Sequence, residues 1–403
     1  MTPEELAQPL LAPDEAVARV LAGLEPLPAT TLPLDRCLGL VAAEDVSTPR
    51  DVPAFANSAM DGYAVRSSDV AGASPGEPVV LRVVDEIPAG GSRSEPVAPG
   101  TAVKIMTGAP VPAGADAVVP WEDTDRGAGE VAVRVAPAPG RHVRPAGEDL
   151  RAGTKVITAG TELGPAHVGV LALVGAAEAR VRPRPRLAVL STGDELVAAG
   201  TDLGASRVYD SNGPLLGALC VRAGAEVIAT DLLGDDPARI EDWLEGRAGE
   251  ADLIVTSGGA SVGEHDWIRD VLGRTGGVEM WRVSMRPGKP VVFGRAHGTP
   301  VLGLPGNPGS VFACAHVFVG PAIRRLGGRD PSPRWVPARL GGDVPGDPKR
   351  TFYCPVTLRD GVAGPVPSRS SQALSNVLSA DGFALVPPGG LSEGAEVRVE
   401  LLG

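Results

Sequence analysis

The chain reads as a multidomain protein of the α/β plus β class, with a doubly wound α/β domain in its second half. Three observations predict this. Between residues 187 and 326, short apolar runs alternate with helix-length segments, the pattern of a mostly parallel sheet covered on both faces. Residues 50–149 and 329–403 carry short β-branched runs broken by Pro and Gly instead. A length of 403 residues also exceeds one ordinary domain.

Taken in order, residues 14–24 show helical spacing at Val17, Val20, Leu21 and Leu24, with Asp14 as a candidate cap after Pro13. The insertion at 50–149 holds runs such as 79–84 and 131–135, each too short for a helix. A second helix is predicted at 165–174, after the turn at Gly164, so the two helical segments belong to one domain interrupted by the insertion. Residues 180–186, with prolines at 183 and 185, read as an extended linker. Strands are then predicted at 187–190, 226–233, 252–256 and 300–304. Helices are predicted at 212–223, capped by Ser211 or Asn212, and at 237–247, 266–273 and 309–326. The C-terminal pattern suits a small β-barrel or sandwich. The predicted division is 1–49 with 150–181 as a discontinuous helical and linker domain, 50–149 as a β-rich insertion, 182–328 as the α/β domain and 329–403 as a C-terminal β domain.

Composition removes several function classes. The formal net charge of −12 argues against a general nucleic-acid binder. The acidic start of the chain lacks a signal-peptide pattern, and no run of some 18 apolar residues is present, so a cytoplasmic protein without a membrane span is expected. Four cysteines, Cys37, Cys220, Cys314 and Cys354, form no CxxC pair, which speaks against a zinc knot or redox motif. Five histidines show no HExxH spacing, so zinc is not expected.

Three strand-to-turn loops carry the chemistry. Residues 252–267, 187–195 and 301–310 each run from an apolar stretch into a glycine turn. In doubly wound sheets such loops converge at the carboxyl ends of the strands, where ligands sit. Gly258, Gly259 and Gly263 let backbone N–H groups approach an anion, and Glu264 and Asp266 follow closely. Phosphate held by amides, beside carboxylates for a divalent cation, is a layout for phosphoester chemistry. Lysine is confined to Lys104, Lys155, Lys289 and Lys349, so Lys289 within Arg-Pro-Gly-Lys-Pro (286–290) stands out.

An ordered set of motifs then resembles one family. These are Asn-Ser-Ala-Met-Asp-Gly-Tyr-Ala-Val (57–65), Ile-Met-Thr-Gly-Ala-Pro-Val-Pro (105–112) and Gly-Glu-Asp (147–149). Ser-Thr-Gly-Asp-Glu-Leu (191–196), Asp-Ser-Asn-Gly-Pro-Leu-Leu (210–216) and Asp-Asp-Pro (235–237) follow. Ser-Gly-Gly-Ala-Ser-Val-Gly-Glu-His-Asp (257–266), Arg-Pro-Gly-Lys-Pro (286–290) and Leu-Pro-Gly-Asn-Pro (304–308) complete the set. The chain is similar to the molybdopterin molybdenumtransferases, the family of MoeA and the gephyrin E domain, from about residue 10 to its end.

The resemblance implies a four-part subunit, with a C-terminal small β-barrel, in an elongated homodimer whose active site is shared between the α/β domain of one subunit and the β insertion of the other. It implies adenylated molybdopterin and molybdate as substrates, Mg²⁺ as the divalent cation, AMP as a product and molybdopterin adenylyltransferase as the upstream partner. It makes Asp61, Asp149, Glu195, Asp235 and Asp266 the catalytic acids, with Glu195, Asp235 and Asp266 at the metal. Thr107, Arg144, Ser257, Gly258, Gly259, Ser261, Gly263, Lys289, Gly306 and Asn307 are expected to bind substrate. Arg282, Arg286, Pro305 and Pro308 are expected at molybdate, since guanidinium forks match tetrahedral oxyanions. Many relatives carry lysine where Arg282 and Arg286 stand, which keeps the charge. Plainer roles compete: Asp235 could cap the helix before Pro237, Asp266 could cap the next one, and Asp61-Gly62 could be an ordinary β-turn. A pterin-binding scaffold would have lost these acids. The adenylating step is the third reading, and tungstate is an alternative oxyanion.

Overall fold

The computed structural model of the chain describes residues 10–259, 267–366 and 372–402. The chain divides into two compact units, one of residues 1–31, 39–43 and 180–403, the other of residues 32–38 and 44–179. Helix α1 (Pro13–Ala22) opens the first unit and buries Ala16 and Val20. Its N-cap is Ala12, with Pro13 at the first helical position and no side-chain cap. Asp14 therefore sits in the first turn, where its charge meets the helix dipole, rather than capping as predicted.

The second unit is built on five strands: β1 (Gly62–Val65), β2 (Val79–Ile87), β3 (Thr101–Ile105), β4 (Ala117–Pro120) and β5 (Glu130–Val133). They pair in the order β4-β1-β3-β2-β5, parallel only between β2 and β3. Tyr63, Val65 and Val119 enter one core and Ala64 and Val118 another, as period-two alternation demands of a sheet buried on both faces. Helix α2 (Pro165–Leu173) follows, close to the predicted 165–174.

Back in the first unit, residues predicted as a linker form a strand instead. Glu178–Arg182 is extended, and Val181 and Arg182 pair with Ala42 and Val41. The prolines lie only at 183 and 185, so the N–H groups before them remain free for a ladder.

Strict alternation then builds the doubly wound domain from β6 (Arg186–Thr192), α3 (Asn212–Arg222), β7 (Glu226–Leu233), α4 (Pro237–Arg247), β8 (Leu253–Ser257) and α5 (Trp267–Thr275). It continues with β9 (Gly276–Trp281), β10 (Val292–Ala296), β11 (Thr299–Leu304), α6 (Pro308–Cys314) and α7 (Gly320–Leu326). The sheet order is β7-β6-β8-β11-β10-β9. Pairing is parallel from β7 to β11, while β10 and β9 add antiparallel at one edge. The sequence reading did not anticipate these two edge strands. Leu187, Val189, Leu253, Val255, Leu302 and Leu304 pack on one face with α1, α3, α6 and α7. Ala188, Leu190, Ile254 and Val301 pack on the other with α4 and α5. The helix predicted at 309–326 is interrupted by a π-helical stretch, Ala315–Val319, just before Gly320-Pro321, because Pro321 has no N–H to continue the regular ladder.

Five further strands form a small closed barrel: β12 (Trp335–Leu340), β13 (Thr351–Arg359), β14 (Val362–Pro365), β15 (Gly382–Val386) and β16 (Glu396–Leu401). The ring runs β13-β14-β12-β16-β15 and returns to β13. The barrel is tied to the α/β sheet's neighbourhood by Met285 and Arg286, which pair parallel with Thr351 and Phe352. Among the described residues, no helix is long and apolar enough to cross a membrane.

Ile254 lies in β8 with no solvent exposure, packed with α4 and α5. Ile254→Ala should lower unfolding stability by about 3 kcal/mol, read from the urea midpoint at unchanged slope.

Candidate active site

The carboxyl ends of β6, β8 and β11 open into a cavity of about 1090 Å³. Ten residues singled out from sequence line it: Glu195, Asp235, Gly258, Gly259, Arg286, Lys289, Pro305, Gly306, Asn307 and Pro308. This is where the parallel strand order places a ligand site.

The floor is made of backbone. Gly258 and Gly259 have φ of 87° and 63°, in the left-handed region that side chains rarely adopt. A Cβ at Gly258 would also collide with the carbonyl oxygen of Thr192, so the turn after β8 lies directly on the end of β6. A Cβ at Gly306 would stand 3.8 Å from the Gly258 Cα, which sets the turn after β11 against the turn after β8. Ser257 lies under this floor and does not line the cavity: its hydroxyl accepts from Asn212 Nδ2 at 2.8 Å and donates to the Pro305 carbonyl at 3.3 Å.

One part of the wall is acidic. The backbone N–H of Asp235 donates to Asp194 Oδ1 at 3.0 Å, joining the loops after β6 and β7. Burial, together with the carboxylates of Asp194 and Glu195, pushes the Asp235 carboxyl above its ordinary value. Asp235 is free of capping duty, because the next residue, Asp236, accepts from the N–H groups of Ala238 and Arg239 at the start of α4. Glu195 is a further cavity acid.

Another part of the wall is cationic. Arg286 stacks over the Phe352 ring at 4.8 Å. Burial, then the charges of Arg282 and Arg350, hold the Lys289 ammonium below its ordinary value. Arg350 also lines the cavity, and both its Nε and Nη2 donate to Asp347 Oδ2, at 2.9 and 2.5 Å. That ion pair brings the Asp347 carboxyl down to about 2. Arg282 is buried, at φ of 63°, with its guanidinium 4.9 Å from the Trp281 ring centroid. It is not part of the cavity wall and acts on it through Lys289.

The remaining candidates lie elsewhere. Asp61, Thr107, Arg144 and Asp149 belong to the second unit. Asp61 Oδ1 accepts from the Thr107 N–H at 2.7 Å and the Thr107 hydroxyl at 2.8 Å, bonds that hold its carboxyl below the ordinary value. Asp61 thus ties down the 107 loop and is more than a turn residue. Arg144 pairs with Asn57 in a two-stranded ladder, and the Asp149 N–H donates to the Val52 carbonyl. Ser261, Gly263, Glu264, His265 and Asp266 lie outside the described residues. Among the described residues, no group of three or more His, Cys, Asp or Glu side chains stands close enough to hold a metal ion.

Sequence reasoning missed several cavity residues. Thr192 and Asn212 lie in motifs singled out above, yet Asn212 was read as a cap. In the structure Ser211 holds the N-cap position without a side-chain cap bond, and Asp210 Oδ1 accepts from the N–H groups of Asn212 and Gly213 instead. Arg350 and Gln372 reach the cavity from the C-terminal barrel, and no local sequence pattern marks them.

Comparison with known proteins covers nearly the whole chain. Residues 11–175 match the MoeA N-terminal region (domains I and II), 188–325 a probable molybdopterin binding domain, and 337–402 the MoeA C-terminal region (domain IV). Molybdopterin molybdenumtransferase 2 of Mycobacterium tuberculosis is 46% identical over 314 residues, 76% of this chain and 77% of the relative. The molybdopterin molybdenumtransferase of Nostoc sp. is 37% identical over 376 residues, 90% of this chain and 86% of the relative. The crystal structure of a molybdopterin biosynthesis MoeA protein from Pyrococcus horikosii superposes with a TM-score of 0.84 at 33% identity, covering 98% of this chain and 100% of that one.

The acidic wall makes a titration prediction. Because the Asp235 carboxyl is raised, its protonation favours the native state at low pH, and that contribution is lost as pH climbs through the raised value. Asp194→Asn keeps an oxygen to accept from the Asp235 N–H but removes the neighbouring charge. The Asp235 midpoint, followed by carboxyl NMR, should fall towards the ordinary value; an unmoved midpoint would leave burial and Glu195 as its cause.

Proposed function

The chain belongs to the molybdopterin molybdenumtransferase family and is a transferase of molybdenum cofactor biosynthesis; on that premise we propose that it inserts molybdate into adenylated molybdopterin, cleaving the adenylate and releasing AMP. The observation that carries this reading is one cavity lined by glycine turns, by the acids Glu195 and Asp235, and by the cations Arg286, Lys289 and Arg350. The turns at 258–259 and 305–307 present backbone to the pyrophosphate of the substrate. Arg286 and Lys289 supply fixed positive charge for the molybdate dianion, with Arg282 behind them and Pro305 and Pro308 shaping the pocket.

The donor set suits a divalent cation. Carboxylates crowded enough to raise Asp235 gain from a positive charge between them, and oxygen donors are those Mg²⁺ takes. Glu195 and Asp235 would hold it, joined by Asp266 on the resemblance. Bound there, Mg²⁺ would supply Lewis acidity toward the pyrophosphate oxygens.

The reading extends to a cytoplasmic homodimer of four-part subunits. In it, Asp61, Thr107, Arg144 and Asp149 of one subunit would serve the cavity of the other. Molybdopterin adenylyltransferase would supply the substrate, and neither nucleic acid nor a membrane takes part.

Two experiments test this. Purified protein should release AMP from adenylated molybdopterin only with both molybdate and Mg²⁺, and Glu195→Gln or Asp235→Asn should slow release by about a hundredfold or more; molybdate-independent release would sink the transferase chemistry. Mixing inactive Asp61→Asn with inactive Glu195→Gln subunits should restore part of the activity in heterodimers, and none would return if each subunit held a complete site.

A further inference from the structure

Resting on the function just proposed, we infer that Asn212 is a positioning residue that locks the two glycine turns into one binding surface for adenylated molybdopterin. Asn212 is the first residue of α3 and only 6% exposed. Its Nδ2 donates twice, to Ser257 Oγ at 2.8 Å and to the Gly306 carbonyl at 2.7 Å. A carbonyl can only accept, so the amide nitrogen must face Gly306, and the orientation of the side chain is fixed. Ser257 passes the link on by donating to the Pro305 carbonyl at 3.3 Å.

The ladder between β8 and β11 ends at Ser257 and Leu304. Just past that point the chains become the turns that line the cavity, and Asn212 spans them. Its other side is anchored to β6. Asp210 Oδ1 accepts from the Asn212 N–H at 2.9 Å, from the Gly213 N–H at 3.0 Å and from the Ser191 hydroxyl at 3.0 Å. One buried polar chain therefore joins the carboxyl ends of all three central strands. Helix capping does not account for the Asn212 amide, because Asp210 does that work. Both amide donors are used, on Ser257 and Gly306, while the buried Oδ1 has no hydrogen-bond partner among the described residues.

The test compares steady-state AMP release by wild type, Asn212→Ala, Asn212→Asp and Ser257→Ala, each with its melting temperature. Asn212→Asp keeps the shape but sets a carboxylate oxygen against the Gly306 carbonyl. For both Asn212 variants, KM for adenylated molybdopterin should rise about tenfold or more, since losing two buried hydrogen bonds from the binding surface is of that order. Turnover at saturation should stay within about threefold, and the melting temperature should fall by no more than a few degrees. Ser257→Ala, which cuts one of the two links, should raise KM less, and the Asn212→Ala/Ser257→Ala pair should fall short of the product of the single effects. An unchanged KM in Asn212→Ala and Asn212→Asp overturns the assignment. So does a KM that moves only in variants that have lost their fold, which would make the residue merely structural. A wild type that releases no AMP overturns the functional reading, and this assignment with it.

Discussion

The close approach of the β8 turn to the end of β6 is the contact on which the rest of the site depends. Gly258 can lie on the Thr192 carbonyl because it has no Cβ and tolerates a left-handed φ. With that turn pressed down, the turn after β11 can settle against it, and backbone forms the floor of the cavity. The acids arrive from the loops after β6 and β7, and the cations from the segment between β9 and β10 and from the barrel. The glycine turns and the acids reach the cavity because parallel strands deliver their carboxyl ends to one side of the sheet.

The two signs of charge are held apart by structure. Burial, then the carboxylates of Asp194 and Glu195, make Asp235 hold its proton more tightly than an ordinary aspartate. Burial, then the charges of Arg282 and Arg350, make Lys289 hold its proton less tightly. A bound ion of opposite sign would favour the charged form of each. A cavity with acids on one part of its wall and cations on another suits a ligand that carries anionic groups beside a cation.

Much of this was legible in the sequence, for identifiable reasons. The α/β domain announced itself because buried strands and amphipathic helices have different periods, and glycine turns marked where the strands end. Eight of the ten expected site residues in the cavity sit one to four residues past those strand ends, and Arg286 and Lys289 come from the segment after β9. The misses have equally local causes. Strands β9 and β10 lie on a sheet edge and carry Gly276, Gly277 and Gly294, which blur the strand pattern. Residues 180–186 looked like a linker because of the prolines at 183 and 185, which come just after the paired residues 181 and 182. Arg350 escaped notice because its place in the cavity follows from the pairing of Met285 and Arg286 with Thr351 and Phe352, a contact between distant segments that no short motif encodes.

That same pairing has a consequence for how the chain could be trimmed or recombined. By strand pairing alone the six-stranded sheet is complete before residue 330, while Tyr353, Phe383 and Leu402 add to the core on one of its faces. Yet the two-residue strand bearing Arg286 is zipped to the barrel, and the Arg350 guanidinium is clamped by a barrel aspartate. Severed from its barrel, the sheet would retain a nucleotide-like cradle with its positive side left unsupported. The boundary drawn by strand pairing is therefore not the one that divides the chain by chemistry: the barrel travels with the sheet, in the compact unit they share, as part of a single anion-handling unit.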